Sequence, residues 1–128
     1  MLLVKKTVIE VDGCSGVDIT ETLSSLKDFT QSIQIETPQG LSRVEVRVKR
    51  IERSGECWYL RIGLRKREGW LWGEDFSICV EEAGPLFRIN IERIKGVGRV
   101  HADVFGLWIV ELLKKKCAAV SPVIVSRL

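Results

Sequence analysis

The chain has 128 residues, of which 45% are hydrophobic and 29% charged, and its formal net charge is +3. This length fits one domain over residues 1–128, and the hydrophobic share excludes a disordered chain. The small net charge weighs against a dedicated duplex-DNA binder, and no apolar run is long enough for a membrane span. Because the N-terminus lacks the charge order of a secretory signal, we expect a soluble, cytoplasmic protein.

The first predicted elements are a strand, a turn and a helix. The segment from Leu2 to Val11 is rich in Val, Ile and Thr, which is typical of a strand, and glycines at 13 and 16 end it. Asp18 is predicted to cap a helix that ends near Ser32, with Glu21 as its capping-box partner. Two helices with a break near Ser24-Ser25 remain the alternative. The apolar stripe at helical spacing comprises Ile19, Leu23, Leu26, Phe29 or Thr30, and Ile33.

A series of strands is predicted next. A short strand at Ile33–Thr37 precedes the turn Pro38-Gln39-Gly40. Apolar and polar residues then alternate over 44–48, 60–64, 76–80, 87–91 and 100–104, as in half-buried strands. The breaks between them are short and contain glycine, which favours an antiparallel meander. We expect one buried face that includes Val46, Leu60, Ile62, Phe76, Ile78 and Ile89.

A second helix is predicted from Phe105 to Val120, and the tail after Pro122 has no assigned place. The apolar side of this helix is formed by Trp108, Ile109, Leu112, Leu113 and Cys117. One apolar sheet face has to be covered, and the two helices are the available cover. The predicted fold class is α+β: an antiparallel six- to seven-stranded meander sheet gripping a long C-terminal helix.

The cysteines Cys14, Cys57, Cys79 and Cys117 are far apart and lack the close pairing of a zinc site. A cytoplasmic location predicts that they stay reduced. The composition is thermophile-like, with one Asn, one Met and abundant Arg, Lys and Glu, and hyperthermophile proteins do form intracellular disulfides. Disulfides are therefore the alternative to reduced thiols.

This order of elements resembles the helix-grip fold of the START-like and Bet v 1-like (SRPBCC) superfamily. The resemblance covers nearly the whole chain but lies in the topology, since the superfamily has no universal signature motif to carry over. Members commonly bind apolar or amphipathic ligands between sheet and helix. The resemblance therefore implies non-enzymatic binding of a lipid- or acyl-like molecule in a cavity between the sheet and the last helix. The expected ligand-binding residues are Leu60, Ile62, Phe76, Ile78, Phe87, Ile89, Trp108 and Leu112.

Other functions were weighed against this hypothesis. One alternative is a protein-interaction module with a filled core, for which a homodimer remains open. Another is nucleic-acid or phosphate binding by basic residues on the polar sheet face, with Tyr59 as a stacking platform, although such modules usually carry more aromatic residues there. Trp70 and Trp72, two residues apart, would line either a ligand site or the core.

No residue pattern predicts a catalytic site, a metal site or a cofactor. His101 and Asp103 would share the polar face of a strand and could exchange a proton, but no nucleophile accompanies them. The glycines at 96 and 98 lack the spacing of a phosphate-binding loop and are better explained by a hairpin.

Overall fold

A computed structural model of the chain describes residues 6–66, 69–95, 100–121 and 124–126. The described part is an α+β fold, in which an antiparallel sheet curls around two helices. In chain order the elements are β1 (Lys6–Asp12), α1 (Gly16–Ser24), a 3-10 helix (Ser25–Asp28), β2 (Thr30–Thr37), β3 (Gly40–Ser54), β4 (Cys57–Lys66), β5 (Gly69–Ala83), β6 (Leu86–Lys95), α2 (Ala102–Leu113), β7 (Ala119–Val120) and β8 (Ile124–Ser126). No described helix has the length and apolar character that a membrane crossing requires.

The sheet has the strand order β2-β3-β4-β5-β6-β1-β7, and β8 also pairs with β1. The strands from β2 to β6 form the predicted meander, and β1 closes it by pairing antiparallel with β6. Glycines with positive φ form the turns between these strands, as at Gly55 (φ 61°) and Gly84 (φ 67°). The half-barrel shape and its enclosed helix are compatible with a helix-grip topology.

One face of the sheet is concave and apolar, as predicted. Residues paired across strands share a face, and the pairs Leu60–Phe76, Ile78–Ile91 and Val80–Ile89 join neighbouring strands on it. All six residues expected on one buried face lie there and are at most 3% exposed: Val46, Leu60, Ile62, Phe76, Ile78 and Ile89. Register shifts in β3, β5 and β6 mark β-bulges, which increase the local twist and help to curl the sheet.

Helix α1 begins earlier and ends earlier than predicted. Its N-cap is Ser15, whose hydroxyl accepts a hydrogen bond from the Asp18 amide while the Asp18 carboxylate accepts one from the Ser15 amide, both at 3.1 Å. Asp18 is thus the second member of the capping box rather than the cap. The α-helix stops at Ser24 and tightens into the 3-10 helix, which agrees with the alternative of a break near Ser24-Ser25. Strand β2 consequently starts at Thr30, three residues before the predicted Ile33.

Helix α2 is shorter than predicted, and it is followed by β7 and β8. The prediction of a strand at 100–104 is wrong, because Ala102 already belongs to the helix. The buried positions of α2 repeat at helical spacing and are Ala102, Phe105, Gly106, Ile109, Val110 and Leu113. The helix ends in a turn after Leu113. The Leu113 carbonyl accepts hydrogen bonds from the amides of both Lys116 and Cys117. The tail then pairs with β1 through β7 and β8.

Two disulfides replace the reduced cysteines that we expected. Cys14 and Cys117 join the turn before α1 to the chain after α2, at a sequence separation of 103. Cys57 and Cys79 lie directly opposite each other on β4 and β5, with Cα atoms 4.1 Å apart. The Val80 amide bonds to the Glu56 carbonyl beside this pair, which identifies a non-hydrogen-bonded cross-strand position, where Cα atoms approach most closely. This geometry places the two cysteine side chains within bonding reach.

Candidate functional site

The space between α2 and the sheet is occupied by side chains of the chain itself. Phe105 stacks on Phe76 with ring centroids 4.8 Å apart and an interplanar angle of 27°. Ile109 and Leu113 continue the same helix face and are 0% exposed. The concave surface under the centre of α2 is therefore a packed core, and the open surfaces of the concave side flank it.

One open surface lies between α2 and the start of β2, and we call it the α2 groove. It has a volume of about 430 Å³ and is lined by Ser25, Asp28, Phe29, Thr30, Gln31, Trp108, Glu111 and Leu112. Phe29 and Trp108 form its apolar floor, with ring centroids 5.7 Å apart. Most of the remaining lining residues are polar or acidic, so the groove offers a small apolar surface with a polar rim.

A larger surface lies between α1 and the hairpin end of the sheet, and we call it the α1 crevice. Its volume is about 550 Å³, and its lining comprises Ser15, Gly16, Val17, Ile19, Thr20, Glu21, Arg53, Glu56, Trp58, Val80, Glu82 and Phe87. The sheet side is apolar because Trp58, Val80 and Phe87 all belong to the concave face. Helix α1 contributes Val17, which is 66% exposed. At this end Val80 and Phe87 are only half-buried, whereas Trp58 is 2% exposed.

The rim of the α1 crevice is charged. Arg53 lies over the ring of Trp58, with its guanidinium carbon 4.8 Å from the ring centroid, and its Nε donates to the Gly55 carbonyl at 3.0 Å. Glu56 and Glu82 lie on the same rim and are exposed. An apolar floor with a charged rim is the arrangement that an amphipathic molecule fits, with its tail inside and its polar head in water.

The structure divides the eight predicted ligand-binding residues among three places. Leu60, Ile62, Phe76, Ile78 and Ile89 lie in the core. Phe87 is half-buried and lines the α1 crevice, whereas Trp108 and Leu112 are half-buried and line the α2 groove. Trp108 and Leu112 pack against the core from beside the most buried stripe of α2, which contains Phe105, Ile109 and Leu113. The part of the crevice that α1 supplies was missed, although Val17 is an apolar residue outside the predicted stripe.

Glu74 is a buried carboxylate that the sequence analysis did not single out. It is 1% exposed and lies opposite Ile62 on the concave face. Its Oε2 accepts a hydrogen bond of 2.9 Å from the Val100 amide, just before α2. The signal was present in the sequence, since Glu74 falls on the same alternating phase as Phe76 and Ile78. The bond gives Glu74 a clear structural role in anchoring the start of α2.

On the convex face, basic residues are paired with acidic ones. Arg61 donates two hydrogen bonds to the Asp75 carboxylate, at 2.8 Å and 3.1 Å. This hydrogen bonding holds the pKa of Asp75 below its usual value and raises that of Arg61. Further ion pairs join Arg47 to Glu45, Lys6 to Glu92, and Arg88 to both Glu10 and Glu81. These pairs offset the positive charge of four basic residues, Lys6, Arg47, Arg61 and Arg88.

The proposed His101–Asp103 pair does not have the geometry that we predicted. His101 is the N-cap residue of α2, and Asp103 lies in the first turn, so the two do not alternate on a strand. The Asp103 carboxylate accepts a hydrogen bond from the Val104 amide at 2.9 Å. The side chains of Trp70 and Trp72 and the glycines at 96 and 98 lie outside the described residues.

Comparisons with protein-family models, with curated proteins and with solved structures found no match to this chain.

Proposed function

We propose that the domain is a non-enzymatic binding protein for an apolar or amphipathic small molecule, such as a lipid or acyl group, and that the α1 crevice holds the ligand. The observation that carries the proposal is the half-buried apolar surface of Val80 and Phe87, beside the buried ring of Trp58, which α1 overhangs without filling the space between. A volume of about 550 Å³ lies within the range of small-molecule sites in proteins. Membership of the helix-grip superfamily is part of the same proposal.

The lining supports a ligand with a long apolar part. Val17 and Ile19 on α1 are opposite Val80 and Phe87 on the sheet, so a hydrocarbon chain would contact apolar groups on both sides. Burial of apolar surface is worth about 25 cal/mol per Å², which is about 0.8 kcal/mol per CH₂ group. Affinity should therefore rise with chain length until the crevice is filled and then level off.

The test is a fluorescence titration of the folded protein with a fatty-acid-like dye and with competing acyl chains of increasing length. Val17→Trp fills the crevice from the α1 side and should weaken binding by about tenfold or more, because each lost apolar contact of methyl size costs roughly 0.8 kcal/mol. Phe87→Ala removes part of the floor and should weaken binding to a similar degree.

The matched control is Tyr59→Ala, which removes an aromatic ring on the convex face that is 46% exposed. This variant should bind the dye as tightly as the wild type does. If folded wild type shows no saturable binding at any chain length, the proposal fails. Equal binding by Val17→Trp and wild type would place the ligand elsewhere.

A protein-interaction module is the second candidate, and the packing beneath α2 favours it. The Phe105–Phe76 stack leaves no ligand space at the centre of the grip, while Val104 and Leu107 on the outer side of α2 are 39% and 54% exposed. Exposed apolar residues grouped on one helix are more typical of a contact surface than of a solvated face. If the folded protein binds no dye, the protein-interaction module is favoured.

A further inference from the structure

We propose that the free edge of β2 is a dimerisation site, at which a second copy of this chain pairs antiparallel and extends the sheet across the interface. Strand β2 is the last strand on its side of the sheet and pairs only with β3 in the described part of the chain. An edge strand presents a row of backbone amides and carbonyls without partners, which another strand can pair with.

The two edges of the sheet differ in how they are protected. On the far side, β1 is covered by β7 and β8, which have 2 and 3 residues, and the sequence places Pro122 between them. Short strands and proline are devices that block edge pairing. Strand β2 has 8 residues in unbroken register with β3, and its sequence TQSIQIET contains no Lys, Arg or Pro. Glu36 is its one charged residue, so it carries little of the usual protection of an edge.

The register of the β2–β3 hairpin identifies the backbone groups that point outward. Thr37 pairs with Gly40 across the two-residue turn, and such a flanking pair is hydrogen-bonded. Bonding to β3 then alternates along β2, so the amides and carbonyls of Thr30, Ser32, Gln34 and Glu36 point away from the sheet. The Gln31 side-chain amide donates to the Ser32 carbonyl at 3.4 Å, which agrees with an outward-facing carbonyl.

These outward groups are self-complementary. In an antiparallel pair centred on Ile33, Ser32 lies opposite Gln34 of the second copy, and Thr30 lies opposite its Glu36. This register uses all the outward residues, forms about eight backbone hydrogen bonds and places no like charges opposite each other. A twofold symmetric contact requires such self-complementarity. The same register would bring the second copy's turn at Pro38 beside the α2 groove.

The experiment measures the oligomeric state of the full chain by light scattering and sedimentation over a range of concentrations. Wild type should be a dimer that dissociates on dilution. Gln34→Pro removes an outward amide without touching a β2–β3 bond, and proline is tolerated at such edge positions. Because the symmetric contact loses two hydrogen bonds, the dimer dissociation constant should rise about 100-fold. Gln34→Thr keeps the amide and should remain dimeric.

Amide hydrogen exchange locates the dimer contact, so the test does not depend on the Gln34→Pro variant alone. In wild type, the amides of Ser32 and Gln34 should gain protection as the protein concentration rises, and Gln34→Pro should abolish this gain at Ser32. Circular dichroism should show that the variant keeps its fold. A monomer at all concentrations would overturn the proposal, as would a dimer that persists in folded Gln34→Pro. A monomer that instead captures an extended peptide at β2 would also overturn it.

Discussion

Glu74 brings a carboxylate into the apolar face of the sheet, where an unpaired polar group is costly. Its hydrogen bond to the Val100 amide satisfies a backbone donor next to the start of α2, at a point where both residues are 1% exposed. A buried amide that loses its acceptor carries a desolvation penalty of about 1–3 kcal/mol. The side chain thus couples β5 to the helix that the sheet encloses.

We expect Glu74→Leu to lower the free energy of unfolding by about 1–3 kcal/mol, because the Val100 amide is left without this acceptor. Glu74→Gln keeps a carbonyl oxygen at the same position and should cost less. Urea unfolding of both variants at neutral pH measures the difference. Equal losses in the two variants would show that the hydrogen bond to Val100 contributes little.

The elements show which parts of the fold the sequence specifies. Alternation of apolar and polar residues predicted the meander correctly, since a half-buried strand imposes a period of two over its whole length. The end of α2 was missed because Lys114–Lys116 continue a helical pattern, while the bond between Cys117 and Cys14 and the pairing of β7 with β1 are long-range contacts. Its start was missed because a few alternating residues, such as Val100 and Ala102, also fit the first turn of a helix.

The candidate site was predictable only in part, because it too depends on long-range packing. Phe87 was identified because it lies on the apolar phase of a strand. Val17 was not, because its role depends on how α1 lies over the sheet, and a local pattern does not contain that information. The exact burial of Trp108 was not predictable, because choosing the innermost stripe of an almost entirely apolar helix requires knowing its rotation relative to the sheet.

The two disulfides should stabilise the protein unequally. In the chain-entropy description, closing a loop of 103 residues is worth about 4–5 kcal/mol and closing one of 22 residues about 3 kcal/mol. We therefore expect Cys14→Ala/Cys117→Ala to lose more stability than Cys57→Ala/Cys79→Ala. Thermal unfolding of the two oxidised variants compares their stabilities. A count of free thiols in denatured wild type, without reductant, should find no free cysteine. Free thiols, or the reverse order of stability, would contradict this expectation.

At the scale of the whole molecule, the disulfides also bear on where the protein works. A cytoplasmic location implied reduced cysteines, and that location remains a prediction against which the paired cysteines weigh. The Cys14–Cys117 bond ties the turn before α1 to the chain after α2, so it limits how far these two helix ends can separate. A ligand in the proposed site would meet a constrained scaffold, and preorganisation of this kind lowers the entropy cost of binding.

The concave face combines two regions with different roles. Its centre is filled by Phe105 and its neighbours and holds the fold together, while its hairpin end stays open beneath α1. The proposed dimer edge at β2 lies apart from this crevice, and none of its residues lines it. Ligand binding and dimerisation should therefore be separable by substitution.

The most direct test of the proposed function is a methyl-labelled NMR titration with a medium-chain acyl ligand. The methyl groups of Val17, Ile19 and Val80 should shift saturably and show nuclear Overhauser contacts to the acyl chain, because they line the α1 crevice. Ile94, which is 57% exposed on the sheet, should not respond. Saturable shifts confined to Val104, Leu107 and Leu112 on α2, or no saturable shift at any methyl group, would contradict ligand binding in the crevice.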